Sequence, residues 1–146
     1  MYDRILVPTD GGEHATAALE HALELASVHD ATVHVCYVVD TSTNPLVVSK
    51  DEVRDALRQV GEDAAARAFA DAEERAAAHG VELLTDLHEG TPGDEIIAEA
   101  EAVAADLVVM GTHAREGVSR RLLGSVAEEV VENCPVPVLT VHAEDA

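Results

Sequence analysis

Short apolar runs alternate with segments of helical periodicity along the whole chain, and this alternation restricts the folds open to it. Strands are predicted over residues 4–9, 32–39, 81–88, 107–110 and 135–141. Helices are predicted over residues 13–29, 50–79 and 120–133, with a further helix opening at Pro92. Such alternation builds right-handed βαβ units around a parallel sheet. The sequence therefore predicts an α/β fold, a single three-layer domain over residues 1–146 with helices on both faces.

Ligands of open parallel sheets bind beyond the carboxyl ends of the strands, where the strand order reverses. If that reversal lies between the first and fourth strands, residues 8–10 face the loop that follows Gly111. The sequence thus predicts one crevice between these two segments.

The segment after the fourth predicted strand concentrates positive charge. Three of the nine Lys and Arg residues lie here: Arg115, Arg120 and Arg121. A glycine loop before a helix start forms an anion cradle from backbone N–H groups and the helix dipole. Gly124, followed by Ser125 within a predicted helix, costs about 1 kcal/mol relative to alanine, which favours a phosphate-binding role. The arginines either contact phosphates or form a solvated face paired with acids.

The net charge excludes two classes of partner. Twenty-nine Asp and Glu residues against nine Lys and Arg give a formal charge of −20. Nucleic acids and anionic membranes would be repelled. Scarce lysine (only Lys50), abundant acid and small hydrophobic residues are typical of halophilic proteins, in which dense salt screens self-repulsion. An acidic protein from ordinary salinity is the alternative.

The chain has no apolar run of about 18 residues that could span a membrane. Its first residues enter a strand without the layout of a signal peptide, so we expect a cytoplasmic protein. In that reducing compartment Cys36 and Cys134 are expected to be buried thiols. The histidines show no metal-ligand spacing, and His14 and His21 on the first helix are expected to face solvent.

Five motifs, in order and spread over almost the whole chain, resemble those of the universal stress protein family. They are ILVPTDG from Ile5, EGTP from Glu89, DLVVMG from Asp106, LLGSVAE from Leu122 and CPVPVL from Cys134. The resemblance implies a five-stranded parallel sheet of order 3-2-1-4-5. It also implies a homodimer joined through the last strand, at Val136, Val138 and Val141.

One branch of this family binds ATP through a loop of the pattern G-x2-G-x9-G-(S/T). Gly111, Gly124 and Ser125 match its first and last positions, whereas Ala114 stands at the middle glycine. The added methyl would oppose a positive-φ backbone or crowd the phosphates.

The resemblance assigns further residues to the nucleotide. Thr9 and Asp10 would contact ribose, phosphate or Mg²⁺, with capping of the first helix as the alternative for Asp10. The Val38 and Val39 backbone would read the adenine edge. The full predicted set is Pro8, Thr9, Asp10, Val38, Val39, Met110, Gly111, His113, Ala114, Arg115, Gly124, Ser125 and Val126. For His113 a plain loop position is the alternative.

Efficient hydrolysis is not expected, because the sequence lacks a Gly-x4-Gly-Lys-Ser/Thr loop. A cradle positions phosphates without supplying an in-line water. We therefore predict an ATP- and Mg-binding stress-response switch with at most slow ATPase activity. The alternatives are a dimeric interaction or chaperone-like module with a vestigial site, and an adenylyl or phosphoryl transferase.

Overall fold

The computed structural model describes residues 1–41, 51–113 and 124–143. Strands and helices alternate there as the sequence predicts. In chain order they are β1 (Arg4–Pro8), α1 (Glu13–His29), β2 (Thr32–Asp40), α2 (Asp51–His79), β3 (Leu83–Gly90), α3 (Pro92–Ala102), β4 (Leu107–Gly111), α4 (Ser125–Asn133) and β5 (Val138–Val141).

The five strands form one parallel sheet in the order β3-β2-β1-β4-β5. The predicted fold class and strand order are therefore confirmed. β1 pairs with β2 along its whole length, but its ladder with β4 covers only Ile5 and Leu6. The carboxyl ends of β1 and β4 are consequently not paired with one another.

Alternate residues of the buried strands pack against different helices. Ile5 and Val7 belong to a core shared with α1 and α2, whereas Leu6 belongs to a core shared with α3 and α4. All three are fully buried. A strand covered on both faces must be apolar at every position, and this explains the continuous apolar run of β1. The two cores give the predicted three layers.

An aspartate joins β1 to β4 at the amino end of the sheet. The Asp106 carboxylate accepts backbone N–H bonds from Asp3 at 2.8 Å and Arg4 at 3.0 Å. The Asp106 N–H in turn donates to the Arg4 carbonyl at 2.8 Å. The hydrogen bonds from the Asp3 and Arg4 amides hold the pKa of Asp106 below its usual value. We call this arrangement the Asp106 clip.

The last helix begins later than predicted. It starts at Ser125, and Gly124 is its N-cap, outside the helix; of residues 120–124, only Gly124 is described. The helical penalty assumed for Gly124 was therefore wrong. Its backbone (φ −67°, ψ 160°) is open to any residue.

Gly61 lies at a close contact between α2 and the sheet. α2 continues through it from Asp51 to His79, and Gly61 lies against Val39 of β2, where an added Cβ would come 2.5 Å from a Val39 methyl. The glycine lets helix and sheet approach closely.

Other boundaries shift slightly. β5 begins at Val138, after both prolines, and both β3 and β5 are edge strands as predicted. Thr91 is the N-cap of α3, but its side chain makes no capping bond.

Both cysteines are free thiols, Cys36 buried as predicted and Cys134 only half-buried. Within the described ranges, none of the helices has the length and apolarity needed to cross a bilayer.

Candidate functional site

A cleft of about 350 Å³ lies at the carboxyl ends of β1 and β4, on the face covered by α3 and α4. This is the point where the strand order reverses, and its volume is within the range of small-molecule sites. The lining residues are Pro8, Thr9, Asp10, Ala15, Cys36, Val38, Asp40, Pro92, Met110, Gly111, Thr112, His113, Gly124, Ser125, Val126 and Ala127. A smaller cavity, of about 200 Å³, lies between the sheet, α1 and α2.

One wall of the cleft is the turn after β1. The Thr9 N–H donates to the Cys36 carbonyl at 2.9 Å, which ties this turn to β2. The Thr9 hydroxyl accepts the Gly11 N–H at 3.0 Å, and an Asp10 carboxylate oxygen accepts the Gly12 N–H at 2.8 Å. Gly11 itself has a positive φ of 81°. These local bonds hold the Asp10 carboxylate at the cleft.

Asp10 does not cap α1 in the predicted manner. The N-cap of α1 is Gly12, which carries no side-chain capping bond. A capping side chain bonds the amides inside the first turn, whereas Asp10 bonds the amide of the cap residue itself. The structural alternative for Asp10 is thus an Asx-type turn before the helix.

The opposite wall is the amino end of α4. The Gly124 N–H donates to the Thr112 carbonyl at 2.6 Å, which joins this helix start to the end of β4. Its N-cap is Gly124, which has no side chain to cap the helix. The first amides of a helix have no partner within it, and the helix dipole makes this end positive. The turn containing Ser125 and Val126 is therefore a suitable place for an anion.

Close packing against α1 requires glycine at position 111, whether or not a nucleotide binds. A Cβ at this position would lie 2.7 Å from the carbonyl carbon and the Cβ of His14, in the first turn of α1. Contacts under 3 Å with backbone atoms require the backbone to move. Only glycine lets α1 approach the end of β4 this closely.

The floor of the cleft is largely apolar. Cys36 and Val38 of β2 and Met110 of β4 line it. Burial, with the nearby carboxylates of Glu99 and Asp86, raises the pKa of the Cys36 thiol far above neutrality. Cys36 therefore stays protonated and acts as an apolar side chain.

A buried carboxyl group lies behind the floor, on α3. Glu99 is only 5% exposed. Burial and its contact with Asp86 raise the pKa of Glu99, while His88, with Nε2 at 3.2 Å from Glu99 Oε2, opposes the rise. Glu99 thus binds its proton more tightly than an exposed glutamate does.

The structure brings together most of the predicted site residues. Those lining the cleft are Pro8, Thr9, Asp10, Val38, Met110, Gly111, His113, Gly124, Ser125 and Val126. Val39 instead turns its side chain to Gly61 on the other face, and the predicted role of its backbone stays a prediction. The positions outside the described residues are Ala114, Arg115, Arg120 and Arg121.

Several lining residues were not predicted. Asp40 ends β2 and Thr112 follows β4 directly, so the strand-end rule that selected residues 8–10 also applied to them. Pro92 and Ala127 come from helices; both lie within the motifs EGTP and LLGSVAE, but neither was assigned to the nucleotide.

The expectations for the histidines were partly wrong. The His14 side chain is only 14% exposed. It lies with His113 and His142 in a cluster in which one ring nitrogen of each is within 4.8 Å of the others. Tertiary structure alone joins these residues, and sequence spacing gave no signal of the cluster. His21 is exposed as expected.

Known proteins are similar to this chain in sequence and in fold. The profile of the universal stress protein family matches residues 1–142. Universal stress protein MJ0531 of Methanocaldococcus jannaschii is 40% identical, over 97% of this chain and 82% of its own length. The solved structure of MJ0577, from the same organism, superposes with a TM-score of 0.86 at 28% identity, covering 100% of this chain and 99% of that one.

A further solved structure is a universal stress protein in complex with cAMP. It has a TM-score of 0.74 and 26% identity, and the match covers 98% of this chain and 99% of that one. The profile match over nearly all residues and the 40% identity to a curated member lead to one conclusion. The chain belongs to the universal stress protein family.

Proposed function

We propose that this protein binds ATP with Mg²⁺ in the cleft between β1 and β4. In this proposal it acts in the cytoplasm as a nucleotide-dependent stress-response switch with at most slow hydrolysis. The observation that carries the proposal is the start of α4. Its amino end, where Gly124 is the N-cap, opens onto the cleft, and such helix ends bind phosphate groups.

The charge of the molecule strengthens the argument for this helix end. With a net charge of −20, the protein repels anions over most of its surface. A phosphate chain therefore needs local positive potential, which the amides of Ser125 and Val126 and the dipole of α4 provide. Arg115, which precedes α4 in the sequence, is a candidate additional contact.

The apolar floor suits a purine ring. Val38 and Met110 offer aliphatic surface, and ligand sites combine such surface with a few polar groups that fix orientation. The neighbour solved with cAMP supports an adenine nucleotide as the ligand class.

Asp10 is the candidate magnesium ligand. Mg²⁺ prefers carboxylate and phosphate oxygens and retains several waters, and the Asp10 carboxylate lies on the cleft wall opposite α4. When bound, the ion would neutralise phosphate charge. The protein's own part is to hold that carboxylate through the Gly12 amide.

At most slow hydrolysis is proposed because the sequence lacks a Gly-x4-Gly-Lys-Ser/Thr loop. Cys36 remains a thiol and supplies no nucleophile. The helix amides hold phosphates in place, whereas fast phosphoryl transfer also requires a residue that orients the attacking group. Binding with little turnover suits a switch.

Two substitutions on one helix test the phosphate end. Val126→Asp places a negative charge in the first turn of α4, whereas Val131→Asp adds the same charge at a position 43% exposed and away from the cleft. Protein is purified in high KCl with Mg²⁺, denatured and searched for nucleotide by mass spectrometry, and ATP is titrated calorimetrically. We expect V126D to lose ATP binding and V131D to keep it. Wild type without bound nucleotide and without millimolar affinity would refute the proposal.

A second test addresses Ala114. If its methyl crowds the phosphates, Ala114→Gly binds ATP more tightly than wild type, since glycine relieves both contact and backbone strain. Parallel titration with cAMP shows whether the longer phosphate chain contributes. Phosphate or AMP released over many turnovers would instead support the transferase or ATPase alternative.

The dimer is proposed separately, through the edge strand β5. An edge strand leaves backbone groups open to pairing, and Val138 and Val141 belong to β5 while Val136 precedes it. Val138→Asp should give monomers by light scattering, with V131D as the charged control. Because Val138 also packs against the core, a thermal melt must show that the variant is folded. A folded V138D that remains dimeric excludes this interface.

A further inference from the structure

We propose that His14, His113 and His142 form a binding site for Zn²⁺ or a similar late first-row divalent ion. The site lies where the ends of β4 and β5 meet the first turn of α1. One ring nitrogen of each histidine is within 4.8 Å of the other two, and the ring centroids are 4.9 to 5.8 Å apart. Three imidazoles at this spacing are a donor set that proteins use for zinc.

The sheet register brings two of the histidines together. Gly111 of β4 lies opposite Val141 of β5, and the Thr112 N–H donates to the Val141 carbonyl at 3.0 Å. His142 directly follows Val141 and His113 directly follows Thr112, so the two histidines lie close together, with ring centroids 5.8 Å apart. The backbone ladder fixes this placement.

His14 joins them because of Gly111. The first turn of α1 rests on Gly111 so closely that a Cβ there would meet the backbone of His14 at 2.7 Å. The glycine therefore sets the distance between α1 and the end of β4. It has a role in the cluster that is independent of any nucleotide.

Thr112 orients two of the rings. Its Oγ1 lies 3.0 Å from Nδ1 of His113 and 3.0 Å from Nδ1 of His142. A hydroxyl oxygen can accept two hydrogen bonds, so both rings can donate Nδ1–H to it. Their Nε2 lone pairs then remain for a metal. Ligating histidines ordinarily donate their other ring N–H to such an oxygen.

The Nε2 atom of His113 strengthens the inference. It is buried and has no hydrogen-bond partner among the residues that the structure describes. A buried polar atom without a partner is costly, and coordination would satisfy it. Near His14, the Glu13 carboxylate lies 3.9 Å from Nε2, which adds favourable negative charge.

His14 gives the site a distinctive property. Its Nδ1 accepts the Ala143 N–H at 3.0 Å, so the neutral ring carries its proton on Nε2. Coordination through Nδ1 displaces that amide, and coordination through Nε2 puts a proton on Nδ1 facing it. Either way, metal binding breaks the Ala143 hydrogen bond.

The ligand type separates this site from magnesium at Asp10. Imidazole favours Zn²⁺, Cu²⁺ and Ni²⁺, whereas Mg²⁺ takes oxygen ligands. Three protein ligands also leave a coordination position for water. His113 lines the cleft as well, so the metal would sit at its rim. The tests use nucleotide-free protein, and their result does not depend on the proposed function.

The first test is calorimetric titration of the untagged full chain with Zn²⁺, followed by Co²⁺ for its visible spectrum. We expect one ion per chain, lost in His113→Ala and in His142→Ala. His21→Ala, at an exposed position of α1, is the matched control and should bind as wild type does. A Mg²⁺ titration should show no saturation of this site. Equal Zn²⁺ binding by wild type and both alanine variants would overturn the proposal, as would no binding by wild type.

The second test holds even if an alanine variant fails to fold. Thr112→Val keeps the shape and removes the hydroxyl, and we expect about 10- to 100-fold weaker Zn²⁺ binding, restored in Thr112→Ser. X-ray absorption of the zinc-loaded wild type should show three imidazoles. The Ala143 amide should exchange faster in the zinc-loaded protein by NMR. A zinc ion with fewer than three imidazole ligands, or an unchanged exchange rate of the Ala143 amide, would refute the proposed three-histidine site.

Discussion

The two ends of the central strand pair β1–β4 are built in opposite ways. At the amino end the Asp106 clip closes the gap with three hydrogen bonds to residues 3 and 4. At the carboxyl end the ladder stops at Leu6, and side chains and helix ends surround a cleft. One strand pair thus provides both an anchor and an opening. Stability at one end and binding at the other should therefore be separable by mutation.

The largest effect is expected from lowering the salt concentration, which acts on both ends together. A charge of −20 repels itself over distances that concentrated KCl screens and dilute buffer does not. If the chain is halophilic, dialysis into low salt should unfold it, as followed by circular dichroism. A melting temperature indifferent to KCl would mean an ordinary acidic protein.

Substitution of Gly111 should lower stability and weaken the binding of both proposed ligands, the nucleotide and the divalent metal, at the carboxyl ends of β1 and β4. In Gly111→Ala the new methyl overlaps the His14 backbone, and overpacking of this kind costs about 1–3 kcal/mol. We expect a lower free energy of unfolding in denaturant titrations and loss of ligand binding by calorimetry.

The matched control is Gly80→Ala. Gly80 has a φ of 67° and no atom within 4 Å of an added Cβ, so the variant should lose about 1 kcal/mol from backbone strain alone. Its ligand binding should be unchanged. A Gly111→Ala protein as stable as wild type would show that α1 can move away from β4.

Loss of the clip should affect stability alone. Asp106→Ala removes two hydrogen bonds to a carboxylate, and because the group is exposed we expect a cost of about 1 kcal/mol. Since the folded pKa of Asp106 is lowered, its contribution is present above the unfolded value of about 3.9. It disappears as the pH falls through the folded pKa. The difference between wild type and variant should therefore shrink in acid, with ligand affinity at neutral pH unchanged.

The smallest effect is expected at Glu99. Its raised pKa means that the native state holds this proton more tightly than the unfolded chain. Stability therefore falls as the pH rises from the usual glutamate value of about 4.3 through the folded pKa. Glu99→Gln should lack this fall when both proteins are denatured chemically across the pH range. Parallel pH profiles would show that His88, which faces the group together with Asp86, already offsets the effects of burial and of Asp86.

The parts of the fold that were predictable from sequence are those encoded by local pattern. The helix over residues 13–29 was predicted with its observed bounds, because six buried apolar residues repeat at helical spacing. The start of α4 was not predicted correctly, because apolar residues continue at helical spacing on both sides of Gly124. The position of the cap depends instead on the hydrogen bond from the Gly124 N–H to the Thr112 carbonyl. The packing of Gly61 could not be predicted for the same reason, since its partner Val39 lies across the interface between helix and sheet.

The candidate site divides in the same way. Residues at strand ends, such as Thr9 and Met110, follow from the alternation and the resemblance together. The histidine cluster joins positions 14, 113 and 142, and only the register of β4 with β5 and the contact at Gly111 connect them. No short-range pattern carries that information.

The Asp106 clip also has a consequence for how the chain folds. The bond from the Asp3 amide joins residues 103 positions apart, and contacts this distant form slowly because a long loop must close first. β1 and β2 are neighbours in the chain, as are β4 and β5. We expect these halves to form early and to dock last, through β1 and β4. The cleft would then be completed only in the docking step, so a chain halted before that step could bind no ligand.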